Sequence, residues 1–128
     1  SGFAWYDTAS ECSVAAKSAV PSKLYHYTGE GNVAGILEGG LRPGASGQVF
    51  TTPNGGLTPL QAQIELALRP NRGLPGTVLE IDAAALQRAG IQPTLGPVRV
   101  QPTSTAPGGG VEVIFGERIP PEFIRQVR

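Results

Sequence analysis

The chain has 128 residues, which is enough for one domain with a single hydrophobic core. Ten basic and ten acidic side chains cancel, which argues against strong electrostatic attraction to nucleic acid or membrane but leaves local contacts to a structured RNA open. One histidine and one cysteine cannot supply the three or four such ligands of a zinc site, so no metal is expected. No apolar run approaches the roughly 18 residues of a membrane-spanning helix.

The predicted elements are short and mixed. Residues 1–20 are expected to form a lead-in segment, and residues 21–128 one domain. Strands are predicted over 23–28, 48–52, 77–81, 98–100 and 111–115. Helices are predicted after an N-cap at Asn32, after the capping box Thr58–Gln61, where the helix stops before Pro70, and over 82–89. Short strands and helices without regular β-α-β alternation predict an α+β fold.

A glycine pattern after the first strand superficially matches a dinucleotide fingerprint. Gly29-x-Gly31-x-x-Ala34 follows a strand and opens a helix. No acidic residue closes a second strand about 20 residues further on, as a Rossmann fold requires. The pattern therefore indicates a turn and a helix start.

His26 is the chain's one histidine and lies in Tyr25-His26-Tyr27-Thr28. Strand alternation places Leu24, His26 and Thr28 on one face of the strand. A histidine between two tyrosines is often a half-buried structural residue. The polar pair of His26 and Thr28 on one face favours a functional role instead.

Glu112 lies in the last predicted strand, directly after a glycine run. A glutamate on an edge strand is usually just solvated. Here Val111, Val113 and Phe115 share one face, so Glu112 shares the other with the apolar Ile114. The glycines before it let the backbone approach a ligand closely, which favours a functional carboxylate.

Three motifs in order resemble those of the diphtheria-toxin-like and poly-ADP-ribose-polymerase-like ADP-ribosyltransferases, the His-Tyr-Glu group. They are Tyr25-His26-Tyr27-Thr28, Gly47-Gln48-Val49-Phe50-Thr51-Thr52 and Gly110-Val111-Glu112. The resemblance covers about Lys23 to Ile124. It implies a core of two small antiparallel sheets with short helices, the split β-sheet of that superfamily, in a catalytic domain over 21–128.

The same resemblance implies a role for each matched residue. His26 would bind a hydroxyl of the adenine-side ribose of NAD, the Tyr27 backbone would hold the nicotinamide carboxamide, and Thr28 would lie beside them. Phe50 stands where the family usually has a stacking tyrosine, and Thr51 and Thr52 complete the NAD-binding set. Glu112 would be the catalytic carboxylate. The family's second stacking aromatic, expected near position 61, is replaced by Leu60 and Gln61.

The small size, the variable lead-in and the Gly-rich loop most resemble the C-terminal toxin domains of bacterial Rhs-type and type VI secretion effectors. The resemblance implies a mono-ADP-ribosyltransferase toxin, secreted and delivered into the cytoplasm of a competing bacterium. Its acceptor would be a protein or RNA, such as elongation factor Tu or another translation component. A cognate immunity protein would protect the producing cell.

Other activities stay open at this point. Water could be the acceptor, which would make the protein an NAD glycohydrolase. A relative of the RNA 2′-phosphotransferases is a further alternative, although those enzymes use additional basic residues and a second histidine. A non-catalytic module that binds NAD or a partner is the third alternative, but it would not need Glu112.

Overall fold

A computed structural model describes residues 20–68, 73–104 and 106–128, so the predicted lead-in lies outside the described residues except for Val20. The first sheet has three antiparallel strands in the order β1-β3-β6: β1 is Lys23–Thr28, β3 is Thr77–Asp82 and β6 is Ile124–Gln126. The predicted first strand is confirmed.

The second sheet also has three antiparallel strands. Its order is β2-β5-β4, with β2 at Val49–Thr51, β4 at Leu95–Arg99 and β5 at Val111–Phe115. The two small sheets confirm the α+β split-sheet fold. The fourth strand was predicted over 98–100, whereas β4 begins at Leu95 and ends at Arg99. The sequence Gly96-Pro97 argues against a strand, but here the two residues lie in an edge strand, at a register shift between Leu95 and Val98.

Three short helices connect the strands: α1 is Val33–Gly39, α2 is Pro59–Glu65 and α3 is Ala83–Arg88. The predicted capping box is present, because Thr58 Oγ1 accepts from the Gln61 N–H and Gln61 Oε1 accepts from the Thr58 N–H. The expected side-chain cap at Asn32 was wrong. Its amide donates to Thr28 Oγ1 at 3.1 Å, so it secures the end of β1 instead. No helix of the described ranges is long and apolar enough to cross a membrane.

The main core lies between the two sheets. Leu24, Leu79 and Ile81 of the first sheet contact a cluster that includes Val113 and Phe115 of the second, and all five side chains are essentially inaccessible. Burying each such side chain contributes about 1.5–3 kcal/mol. A smaller cluster on the other face of β1 contains Tyr27, Leu57, Ala62 and Val78. Both faces of β1 are therefore packed, which fixes its position.

The strand β6 was not anticipated from the sequence. Ile124 is buried opposite Ile81, and Arg125 lies opposite Glu80. Arg125 Nε donates to Glu80 Oε1 at 2.9 Å, and Lys23 Nζ lies 3.8 Å from the same oxygen. Exposed ion pairs contribute little free energy. This one nevertheless joins all three strands of the first sheet at one carboxylate.

The glycine after α1 allows a direct test of the fold. Gly40 has φ 84°, and a methyl group there would overlap the carbonyl oxygen of Ile119, which pairs with Leu41. Gly40→Ala should lower the free energy of unfolding by at least about 2 kcal/mol. In the control Gly35→Ala, inside α1 with open space around it, the free energy should rise by roughly 0.5–1 kcal/mol. Urea unfolding measures both, and equal effects would contradict the close contact at Gly40.

Candidate functional site

The three strands that carry the sequence motifs are neighbours. Tyr25 of β1 and Thr52, the residue after β2, exchange two backbone hydrogen bonds, each 2.8 Å long. On its other side β2 pairs with β5, with Thr51 opposite Val113. Continued by one residue, that register places Thr52 opposite Glu112. The strand of His26 and the strand of Glu112 thus lie on either side of the end of β2.

The His26 ring has a defined tautomer. Its Nδ1 lies 2.9 Å from the carbonyl oxygen of Phe50, and because a carbonyl can only accept, Nδ1 carries the proton. Burial lowers the pKa of His26 below 6.5, while the bond to the Phe50 carbonyl partly opposes this shift. The ring is therefore neutral at neutral pH, and Nε2 is left as an acceptor for a ligand hydroxyl.

The Glu112 carboxyl lies in a partly apolar setting. Its side chain is partly buried, and desolvation raises its pKa above the ordinary value of 4.5. Its predicted neighbour on the same face, Ile114, is buried and lies opposite Phe50 of β2 and Leu95 of β4. Phe50 and Leu95 are 44% and 48% exposed. An open apolar surface therefore extends across the sheet beside Glu112.

Tyr27 has separate roles for its side chain and its backbone. The hydroxyl donates to the Asn54 carbonyl at 2.7 Å and accepts from the Leu57 N–H at 3.0 Å, which fixes the turn after β2. Backbone groups alternate between the two edges of a strand. The N–H and C=O of Tyr25 point to Thr52. The N–H and C=O of Tyr27, two residues further along β1, therefore point to the same edge of the strand, past the Tyr25–Thr52 bridge. No backbone partner meets them there within the described ranges.

The three threonines of the predicted site are buried and anchor the strands. Thr28 accepts from Asn32 Nδ2, and Thr51 Oγ1 donates to the Val113 carbonyl at 2.8 Å. Thr52 Oγ1 accepts from the Asn54 N–H at 3.2 Å. Thr51 therefore binds β5 rather than facing an open cleft. Thr52 lines a pocket described next.

A pocket with a volume of about 410 Å³ lies beside the beginning of β5. Its lining consists of residues 52–54, Leu57, Glu65, Leu66 and residues 109–111, and we call it the α2–β5 pocket. His26, Phe50 and Glu112 do not line it, although Thr52 and Val111 place it next to Glu112. The sequence did not predict that Glu65 lines a pocket, since nothing in a single sequence shows that the end of α2 lies beside the glycine run.

The glycine run is held by the end of α2. Gly108 N–H donates to the Ile64 carbonyl at 3.1 Å, and Gly110 N–H donates to the Glu65 carbonyl at 3.0 Å. These carbonyls belong to the last turn of α2, where a helix leaves such groups unpaired. Arg99 Nη1 also donates to the Gly109 carbonyl at 2.9 Å. The backbone that leads into Glu112 is thereby fixed.

Residues 20–68, 73–104 and 106–128 contain no group of three or more His, Cys, Asp or Glu side chains that could hold a metal ion. The sequence matches no protein-family model, and no curated protein matches it significantly.

Desolvation of Glu112 predicts a stability that depends on pH. Burial raises the pKa of Glu112 in the folded state. The contribution of Glu112 to the free energy of unfolding is therefore favourable below about pH 4.5 and is lost as the pH rises through the folded pKa. Glu112→Gln should therefore raise Tm at pH 7, by on the order of 2 °C, and leave it nearly unchanged at pH 4. Thermal unfolding at both pH values measures this, with Glu117→Gln in an exposed turn as the charge control. An equal effect of Glu112→Gln at both pH values would contradict it.

Proposed function

We propose that the protein is a mono-ADP-ribosyltransferase that uses NAD as its substrate. The observation that carries the proposal is the adjacency of β1, the end of β2 and β5, joined at the Tyr25–Thr52 bridge. It brings the three motif-bearing strands together at one junction. The neutral His26 and the desolvated Glu112 support the same interpretation.

The groups at this junction match the parts of NAD that they would bind. The N–H and C=O of Tyr27, at the free edge of β1, offer the donor and the acceptor that a carboxamide needs. His26 Nε2 would accept a hydrogen bond from a hydroxyl of the adenine-side ribose. The exposed Phe50 ring offers a surface for stacking of the nicotinamide. Thr28 and Thr51 would act by holding the strands in place, whereas Thr52 faces the pocket.

Glu112 would supply the electrostatic stabilisation. Nicotinamide leaves with the electron pair of the C1′–N bond, and positive charge develops on the ribose as in glycoside hydrolysis. An ionised Glu112 that accepts a hydrogen bond from the ribose 2′-hydroxyl stabilises this charge, more strongly because the site is partly desolvated. The acceptor then attacks C1′ from the opposite face, and its proton is released.

The biological setting remains part of the same proposal. The acceptor would be a macromolecule in the cytoplasm of a competing bacterium, such as elongation factor Tu or another translation component, and the domain would be a secreted effector. A cognate immunity protein would cover the mouth formed by His26, Phe50 and Glu112. The resemblance to polymorphic-toxin domains supports this setting.

The proposed activity is tested by incubating the protein with labelled NAD and a bacterial lysate. Wild type should label a macromolecule and release nicotinamide. Glu112→Gln should lower both by at least about a hundredfold, because one transition-state contact is removed, while it keeps a folded circular dichroism spectrum. Release of nicotinamide without a labelled macromolecule would indicate a glycohydrolase. If neither product forms, the enzyme assignment is refuted and a binding module is favoured.

The tautomer of His26 predicts different effects for its two amide replacements. His26→Asn can keep the donor to the Phe50 carbonyl but loses the acceptor at Nε2, so Tm should hold while the Kd for NAD rises about tenfold. His26→Gln loses the bond to Phe50 and should lower Tm. Calorimetry with NAD and thermal unfolding measure the two effects. Unchanged NAD affinity in His26→Asn would show that His26 is a structural residue.

A further inference from the structure

The backbone pairing between β1 and β2 stops after a single pair. Tyr25 and Thr52 exchange both of their backbone hydrogen bonds. In an antiparallel ladder, such hydrogen-bonded pairs recur at every second residue. The next pair in this register is Tyr27 opposite Phe50, but no backbone hydrogen bond joins these two residues, both of which the structure describes. The two strands therefore form a fork, which we call the β1–β2 fork, closed at Tyr25–Thr52 and open at Tyr27–Phe50.

Phe50 directs its backbone groups into the fork. The N–H and C=O of Thr52 point to β1, and because these groups alternate along a strand, those of Phe50 point to the same edge. The Phe50 carbonyl oxygen accepts from Nδ1 of His26 at 2.9 Å rather than from the N–H of Tyr27. A second donor could reach this oxygen only beside the imidazole ring. The ring thus occupies the acceptor that further pairing of the two strands would use.

The fork does not open because one of its strands ends. β1 stays paired with β3 as far as Thr28, and β2 stays paired with β5 along all of Val49–Thr51. Both strands therefore continue in extended form past the point at which their pairing with each other stops. At that point the imidazole of His26 bridges them. The geometry relates the open end of the fork to this side chain rather than to the path of the chain.

We propose that His26 is a positioning residue that keeps the β1–β2 fork open. Its hydrogen bond to the Phe50 carbonyl takes the place of a Tyr27–Phe50 pair, which leaves the N–H and C=O of Tyr27 and the N–H of Phe50 available to a ligand. Without the imidazole, the two strands pair at this position and the binding edge closes. This role belongs to Nδ1 and is separate from that of Nε2. It concerns the strands alone and does not depend on the proposed transferase activity.

Amide hydrogen exchange measured by NMR tests this role, because it follows each N–H separately. In wild type, the N–H groups of Tyr27 and Phe50 should exchange at least about tenfold faster than those of Tyr25 and Thr52, since only the latter pair is hydrogen-bonded. In His26→Ala, the N–H groups of Tyr27 and Phe50 should exchange about tenfold more slowly than in wild type, as they become paired. A contact between these two N–H protons should appear in the nuclear Overhauser spectrum.

Two control variants separate this effect from a loss of stability. His26→Asn can keep a donor for the Phe50 carbonyl, so the exchange of Tyr27 and Phe50 should stay as in wild type. Thr51→Val removes the buried hydrogen bond from Thr51 Oγ1 to the Val113 carbonyl and leaves the fork bond in place. It should slow no amide, because a lost structural contact makes opening more frequent. Slower exchange confined to two amides is therefore a result that a purely structural histidine does not produce.

His26→Gln, which also loses the bond to Phe50, replaces His26→Ala if the alanine variant does not fold. A folded variant without the imidazole in which Tyr27 and Phe50 exchange as fast as in wild type would overturn the proposal, since the fork would then be open for another reason. Wild-type protein alone can also overturn it. If its Tyr27 and Phe50 N–H groups are as protected as those of Tyr25 and Thr52, the fork is already closed with His26 present.

Discussion

Two backbone hydrogen bonds between Tyr25 and Thr52 join the sheets at one point. Everything at the site depends on this bridge, because it sets β1 against the end of β2 and leaves the backbone of Tyr27 at a free edge. Side-chain packing supports the bridge from both sides of β1, through Leu24 in the main core and Tyr27 in the smaller cluster. The bond from the His26 ring to the Phe50 carbonyl adds a third connection between the same segments.

The stability of the fold and the proposed activity would favour different surroundings for Glu112. The apolar side chains around it, Ile114 among them, contribute to the packing of the second sheet, but they desolvate the carboxylate and raise its pKa. In the proposed reaction, the same desolvation would strengthen the interaction of Glu112 with the developing positive charge. A carboxylate in such a place is costly to the fold, which is typical of residues that are retained for chemistry.

Much of the fold can be predicted from the sequence where neighbouring residues alone favour a helix or a strand. The alternation of β1, the glycine boundary of β5 and the capping box at Thr58 each depend on residues close together in the chain, and each is confirmed. The failures have long-range causes. The strand β6 has only three residues, Ile124–Gln126, and these are too few for a hydrophobic pattern to predict a strand. It forms because Ile81 and Glu80 of β3 provide its partners. The α2–β5 pocket could not be predicted either, since it forms between segments distant in sequence. The roles given to His26 and Glu112 stay predictions until they are measured.

The capping of α2 by the glycine run joins two segments into one cooperative unit. The amide protons of Gly108 and Gly110 can exchange with solvent when the run separates from the last turn of α2. That separation also removes hydrogen bonds from the final carbonyls of the helix, so fraying of the last turn of α2 removes one of the attachments of the backbone before Glu112, its bonds to Val100 being another. A substitution that weakens the last turn of α2 would then loosen the approach to Glu112 without touching the strand itself.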